Sequence, residues 1–136
     1  MERDSSSFIQ KRLLFEILSL ALLIAILHKI ALMYSLYWIT DWADMIMHTL
    51  GGLLIGLLAL FIFFTSGYIQ IPKNTRVVIL ITLGSVLIVG LSWELWEIWF
   101  GLIDALADKI DSMTDLFFDL VGGTLALIYF YFKKSK

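Results

Sequence analysis

Cysteine is absent from this 136-residue sequence, which excludes disulfides, zinc–thiolate sites and thiol nucleophiles. Proline occurs once, at Pro72, and only 16% of the residues are charged, with 10 basic and 12 acidic side chains. The high apolar content excludes an intrinsically disordered chain, and the lack of a basic patch excludes a nucleic-acid binder. P-loop, Rossmann and GxSxG motifs are also missing, so none of these catalytic frameworks applies.

Apolar side chains dominate what is present. Hydrophobic residues make up 60% of the sequence, aromatic residues 15%, and the mean hydropathy is +0.91. A soluble domain of this size leaves a large part of its surface in water, so it could not bury that many apolar side chains. A soluble domain and a multidomain enzyme are therefore excluded, and the lipid bilayer is the expected solvent.

Four apolar runs are long enough to cross a bilayer, which takes about 20 helical residues. The sequence predicts an all-α polytopic membrane protein: one membrane domain, residues 1–136, folded as a four-transmembrane-helix bundle. The predicted spans cover residues 13–38, 45–64, 77–103 and 115–132.

The charged residues divide between two faces of this predicted bundle. An even number of spans puts both termini on one side, which then holds eight of the ten basic residues, while nine of the twelve acidic residues lie toward the other side. Because basic residues favour cytoplasmic segments, the sequence predicts a multi-pass protein with its N- and C-termini in the cytoplasm. The expected location is a prokaryotic plasma membrane.

The second and fourth spans open with a similar pattern. Asp44, His48 and a glycine pair recur 71 residues later as Asp115, Asp119 and a second glycine pair. This similarity predicts two helical-hairpin repeats around an axis along the membrane normal, with His48 and Asp119 facing each other. The alternative is that glycine pairs are simply frequent in membrane helices.

Two glutamates interrupt the third apolar run. Glu94 and Glu97 lie in the C-terminal part of that helix, where the helix dipole disfavours negative charge. A carboxylate at membrane depth costs about 2.5–3.5 kcal/mol, so both side chains should face the bundle and find a proton, a cation or a basic partner. A salt bridge to Lys29 or His28 is the simpler alternative.

An imidazole among several carboxylates favours a metal site. We expect His48, Glu94, Glu97 and Asp119 to hold a divalent ion, with Zn²⁺, Mn²⁺, Mg²⁺ and Ca²⁺ as candidates. Asp44 and Asp115 are the candidate catalytic residues, as general base or as groups that orient a ligand. For both, helix capping is an alternative, as it is for Asp41 and Asp111. The outer contacts of the site are predicted to come from Asp111, Lys29 and His28.

The motifs Asp44-x3-His48-x2-Gly51, Glu94-x2-Glu97 and Asp111-x3-Asp115-x3-Asp119-x2-Gly122 resemble those of the VanZ-like superfamily of small integral membrane proteins, including its YjdF-type branch. The resemblance covers spans two to four. It implies a helical membrane fold and a functional set composed of Asp44, His48, Glu94, Asp115 and Asp119, with Glu97 and Asp111 matching more loosely.

Three functions fit this sequence. The first is a metal-dependent intramembrane hydrolase or transferase that acts on a lipid or lipid-linked envelope component. The second is a cation or proton transporter or channel that uses the same carboxylates, and the third is a non-catalytic membrane partner subunit. The predicted partners are membrane lipid and the lipid or lipid-linked substrate, with a homo-oligomer as the alternative to a lone bundle and no nucleic acid.

Overall fold

The computed structural model describes residues 2–69, 71–102 and 109–134, and no strand occurs in these ranges. Its helices are α1 (Glu2–Met33), α2 (Leu36–Ile39), α3 (Asp41–Leu60), α4 (Thr75–Trp99) and α5 (Lys109–Lys134), and a π-helical turn, Phe61–Thr65, extends α3. Four segments are long and apolar enough to cross a membrane: Gln10–Met33, Asp41–Thr65, Thr75–Trp99 and Lys109–Lys133. The predicted all-α fold with four spans is confirmed.

The helix ends differ from the predicted ones. The first span was predicted to run unbroken over 13–38, but Ser35 adopts a left-handed conformation, with φ of 56°, and separates α1 from the single turn α2. α3 starts at Asp41 instead of residue 45, and α5 starts at Lys109 instead of residue 115. The third span was predicted to reach residue 103, but α4 ends at Trp99 and residues 100–102 are not helical.

Local hydrogen bonds define both ends of α4. At its start, the Asn74 side chain accepts a hydrogen bond of 2.9 Å from the Val77 amide. At its end, Gly101 is left-handed, with φ of 67°. The amides of Gly101 and Leu102 donate to the carbonyls of Ile98 and Glu97 at 3.1 and 2.9 Å, which is a Schellman motif. The helix therefore stops at Trp99.

α3 is the central helix, because it packs against α1, α4 and α5. Its contact with α5 is very close: a Cβ on Gly52 would collide with the Asp119 carbonyl, and one on Gly122 would collide with the Thr49 carbonyl. Small residues allow such backbone contact between membrane helices. The two contacts place the middle of α3 against the middle of α5.

The two ends of the bundle have opposite character. The acidic end comprises the starts of α3 and α5 and the end of α4, and it holds Asp44, His48, Glu94, Asp115 and Asp119. The basic end comprises the start of α1 and the end of α5. There, Lys133 and Tyr129 donate hydrogen bonds of 2.8 and 2.6 Å to Glu16, and so join α5 to α1. The apolar core that includes Leu60 and Ala126 lies next to this basic end.

Candidate metal centre

The candidate centre is assembled from the facing sides of α3 and α5. Asp44 and His48 are one turn apart on α3, so they share a face, and Asp115 and Asp119 are one turn apart on α5. Asp115 and Asp119 are buried, and Asp44 and His48 are partly buried. The backbone contact at Gly52 and Gly122 brings the two faces together.

His48 lies at the middle of the group. Its Nε2 atom is 3.7 Å from Oδ1 of Asp44 and 3.8 Å from Oδ1 of Asp115. One ligand atom from each of the three residues falls within 4.8 Å of the others. This cluster of one imidazole and two carboxylates has the composition and the size of a metal site.

Asp119 contacts the opposite side of the same imidazole. Its Oδ1 atom is 3.3 Å from Nδ1 of His48, which confirms the prediction that these two residues face each other. An ionised carboxylate can only accept, so Nδ1 must carry the proton of this hydrogen bond. In the neutral ring, the lone pair of Nε2 is then directed toward Asp44 and Asp115.

The second oxygen of Asp119 lies against α4 at Gly90. A Cβ on Gly90 would be 2.5 Å from Oδ2 of Asp119 and 3.0 Å from Leu116 Cδ2. The missing side chain therefore makes room for the carboxylate between α4 and α5. The spacing of Gly90 and Glu94 on one face of α4 was visible in the sequence, but the use of that space by Asp119 was not.

Glu94 is buried beside this contact. Only 5% of the residue is exposed, and neither side-chain oxygen has a hydrogen-bond partner within the described part of the chain. The prediction that Glu94 faces the bundle is confirmed. The alternative salt bridge is not found among the described residues: Lys29 and His28 are exposed, and His28 Nδ1 contacts the Tyr37 hydroxyl at 2.8 Å instead.

The remaining predicted residues lie outside the cluster. Glu97 is half-buried and Asp111 is exposed, and neither belongs to the group of three. Asp44 and Asp115 lie near Nε2 of His48, whereas Asp119, which was predicted as a ligand, lies at Nδ1. Sequence patterns identify the residues, but not the orientation of the imidazole.

Helix capping does not explain Asp115, which is the seventh residue of α5 and lies beyond the free amides of the first turn. The alternative of helix capping remains open for Asp41, Asp44 and Asp111, which lie in first turns.

Tyr37 is a neighbour of the centre that the sequence did not predict. It lies in α2, between the first two membrane spans, with its hydroxyl bonded to His28. Burial raises the pKa of Tyr37 above its ordinary value, and the negative charge of Asp44 raises it further. No sequence signal distinguishes this tyrosine from the aromatic residues expected at any membrane surface.

Comparisons with known proteins give a family but no characterised relative. Neither a curated protein nor a solved structure matches the chain. The comparisons do not show membership of the VanZ-like superfamily, and the likeness to that superfamily remains a resemblance. The family model described as "Predicted membrane protein (DUF2238)" matches residues 7–136. The chain therefore belongs to this family of predicted membrane proteins.

Proposed function

We propose that the acidic end of the bundle binds a divalent metal ion through Nε2 of His48 and the carboxylates of Asp44 and Asp115. The observation that carries this proposal is the convergence of one ligand atom from each residue within 4.8 Å. Asp44, His48 and Asp115 also belong to the set implied by the resemblance to VanZ-like proteins.

The dimensions of the group suit a metal ion after a small contraction. A tetrahedral ion with ligands about 2.0 Å away keeps its ligand atoms about 3.3 Å apart. The observed 3.7 and 3.8 Å exceed this spacing by a few tenths of an ångström, which small side-chain rotations supply. A neutral imidazole with two carboxylates carries two negative charges, and a divalent ion balances them. Mixed nitrogen and oxygen ligands favour Zn²⁺ or Mn²⁺ over Mg²⁺ or Ca²⁺.

Asp119 supports this centre without binding the metal. A metal-ligating histidine usually donates its second ring N–H to a carboxylate or carbonyl, which fixes the tautomer and the ring orientation. The contact of 3.3 Å between Nδ1 and Asp119 supplies this arrangement. Asp119 is therefore a positioning residue for His48.

The reaction that fits is hydrolysis or group transfer on a lipid or lipid-linked envelope component. Three protein ligands leave coordination positions for water or substrate, as in catalytic zinc sites. A metal ion there supplies an activated water or a polarised phosphoryl or acyl group. With both termini in the cytoplasm, as the basic residues predict, the centre lies toward the external leaflet of the plasma membrane, where such substrates occur.

The metal content of the protein purified in detergent tests this proposal. We expect the wild-type chain to retain a divalent ion and His48→Gln or Asp115→Asn to lose most of it. Asp41→Asn is the matched control, because Asp41 is an exposed acid on the same helix as Asp44. A wild-type protein without metal after incubation with each candidate ion, or one whose metal content is unchanged by His48→Gln, would overturn the proposal.

A cation or proton carrier is the second candidate, and the burial of Glu94 favours it. An ionisable side chain inside a membrane helix, with no hydrogen-bond partner among the described residues, is typical of an ion or proton path. Flux measured in proteoliposomes distinguishes this function from a static site. Ion or proton flux that is abolished by Glu94→Gln and retained by Asp41→Asn would favour the carrier, and its absence would favour the enzyme.

A further inference from the structure

We infer that the centre binds two cations, the second held between α4 and α5 by Glu94 and the Oδ2 atom of Asp119. This inference rests on the proposed function, because the second cation would lie next to the first. Its starting observation is Glu94, which is only 5% exposed and whose two oxygens have no hydrogen-bond partner in the described ranges. A buried carboxylate without a partner indicates a missing ligand.

Helix geometry directs Glu94 toward Asp119. Side chains on a helix lean toward its N-terminus, so Glu94 covers the turn that contains Gly90. Gly90 is the residue against which Oδ2 of Asp119 packs. The two carboxylates therefore approach the same space, which the absence of a side chain at Gly90 leaves open.

The pairing of α4 with α5 also brings Glu94 close to the first cation. Gly90 lies against Asp119, and Gly123 lies against Val86, so the two helices run antiparallel. One turn further along α4, Glu94 is level with Asp115, which is one turn earlier on α5. Glu94 thus lies beside both the proposed ligand Asp115 and the positioning residue Asp119.

The charge of the centre, with its carboxylates ionised, favours more than one ion. Asp44, Asp115, Asp119 and Glu94 carry four negative charges when ionised, and the described residues show no Lys or Arg ion pair to any of them. One divalent ion bound by Asp44, His48 and Asp115 leaves Asp119 and Glu94 uncompensated. A second divalent ion between these two balances the centre at membrane depth.

A pair of cations indicates the class of substrate. Phosphatases and nucleases use two adjacent metal ions to stabilise the attacking and leaving oxygens of a displacement. A second cation therefore favours a phosphate ester as the lipid or lipid-linked substrate.

Manganese titration of the detergent-purified, metal-stripped protein tests the inference, with the bound metal counted per chain. We expect two Mn²⁺ ions in the wild-type chain and in Asp41→Asn, and one in Glu94→Gln. A wild-type chain that binds a single Mn²⁺, or a Glu94→Gln variant that still binds two, would overturn the inference while leaving the first site intact.

The electron paramagnetic resonance spectrum of the loaded wild-type protein gives an answer that does not depend on the folding of any variant. Two adjacent Mn²⁺ ions give a spin-coupled spectrum, whereas a single ion gives six lines. A six-line spectrum at saturation contradicts the second cation. A complete absence of binding contradicts the proposed function itself, so the two failures are distinguishable.

Discussion

Replacement of Gly52 by alanine perturbs the contact that brings α3 and α5 together. The new Cβ would collide with the carbonyl oxygen of Asp119, a backbone atom that cannot rotate away. The adjacent Gly51 is a matched control, because a Cβ there would meet nothing within 4 Å. Both substitutions raise the helix propensity of α3 by the same amount, so only the collision distinguishes them.

The expected effect follows from the geometry of this contact. Real Cβ atoms stay at least 3.0 Å from their neighbours, so the two helices must separate by about 1 Å at Gly52. Overpacking of this kind costs about 1–3 kcal/mol, whereas Gly51→Ala gains up to about 1 kcal/mol from helix propensity. Because the gain in helix propensity is the same for both variants, their free energies of unfolding should differ by the overpacking cost alone, about 1–3 kcal/mol.

The separation also affects the metal centre. The hydrogen bond between His48 and Asp119 is already 3.3 Å long, so an increase of a few tenths of an ångström breaks it. Loss of such a support to a metal-ligating histidine lowers metal affinity about 10–100-fold. We expect Gly52→Ala to show this loss and Gly51→Ala to retain the wild-type affinity.

Denaturant unfolding in mixed micelles and metal titration measure the two effects. Gly51→Ala and Gly52→Ala change adjacent residues of the same helix turn by the same atom. Both variants are measured in the same detergent, so the detergent does not contribute to the difference between them. Equal stability and equal metal affinity in the two alanine variants would refute the close α3–α5 contact on which the centre depends.

Three further predictions concern the ends of the bundle. Glu16→Gln removes the charged acceptor of the hydrogen bonds from Lys133 and Tyr129 that join α5 to α1. In denaturant unfolding, this variant should lose about 1–2 kcal/mol of stability. Loss of the exposed Arg12 side chain, which also contacts Glu16, should cost less than about 1 kcal/mol. Asn74→Ala removes the cap of α4 and should cost about 1 kcal/mol, while Asn74→Asp, which retains the acceptor, should not. A reporter fused after Lys136 should read cytoplasmic and one inserted before Lys109 external, and the opposite pattern would contradict the orientation.

The number of helices followed from the sequence, but their ends did not. Runs of about 20 apolar residues indicate spans directly, since the bilayer sets the length. α5 begins at Lys109, six residues before the predicted start, because hydropathy cannot detect a polar first turn. The break at Ser35 could not be predicted, because no glycine or proline lies beside it in the sequence. The stop after Trp99, by contrast, has a visible signal in Gly101.

The residues that lie together in the candidate site were easier to predict than the way their side chains are oriented. The cost of a charge in the membrane correctly predicted that Glu94 is buried, and the repeat correctly predicted the contact between His48 and Asp119. The division of roles around the imidazole depends on a side-chain rotation that no spacing encodes. As a result, Asp44 and Asp115, rather than Asp119, lie at Nε2.

The predicted repeat gives a reason for one imidazole lying between two carboxylates. Asp44 and Asp115 are equivalent positions of that predicted repeat, and they lie at almost equal distances, 3.7 and 3.8 Å, from Nε2 of His48. His48 and Asp119 are also equivalent positions, and they meet across the same helix contact. Two carboxylates at the latter positions would repel each other or share a proton, whereas an imidazole opposite a carboxylate provides one donor and one acceptor. The combination of histidine on α3 with aspartate on α5 therefore supplies the proposed ligand together with its proposed support, and both helices are needed to form the pair.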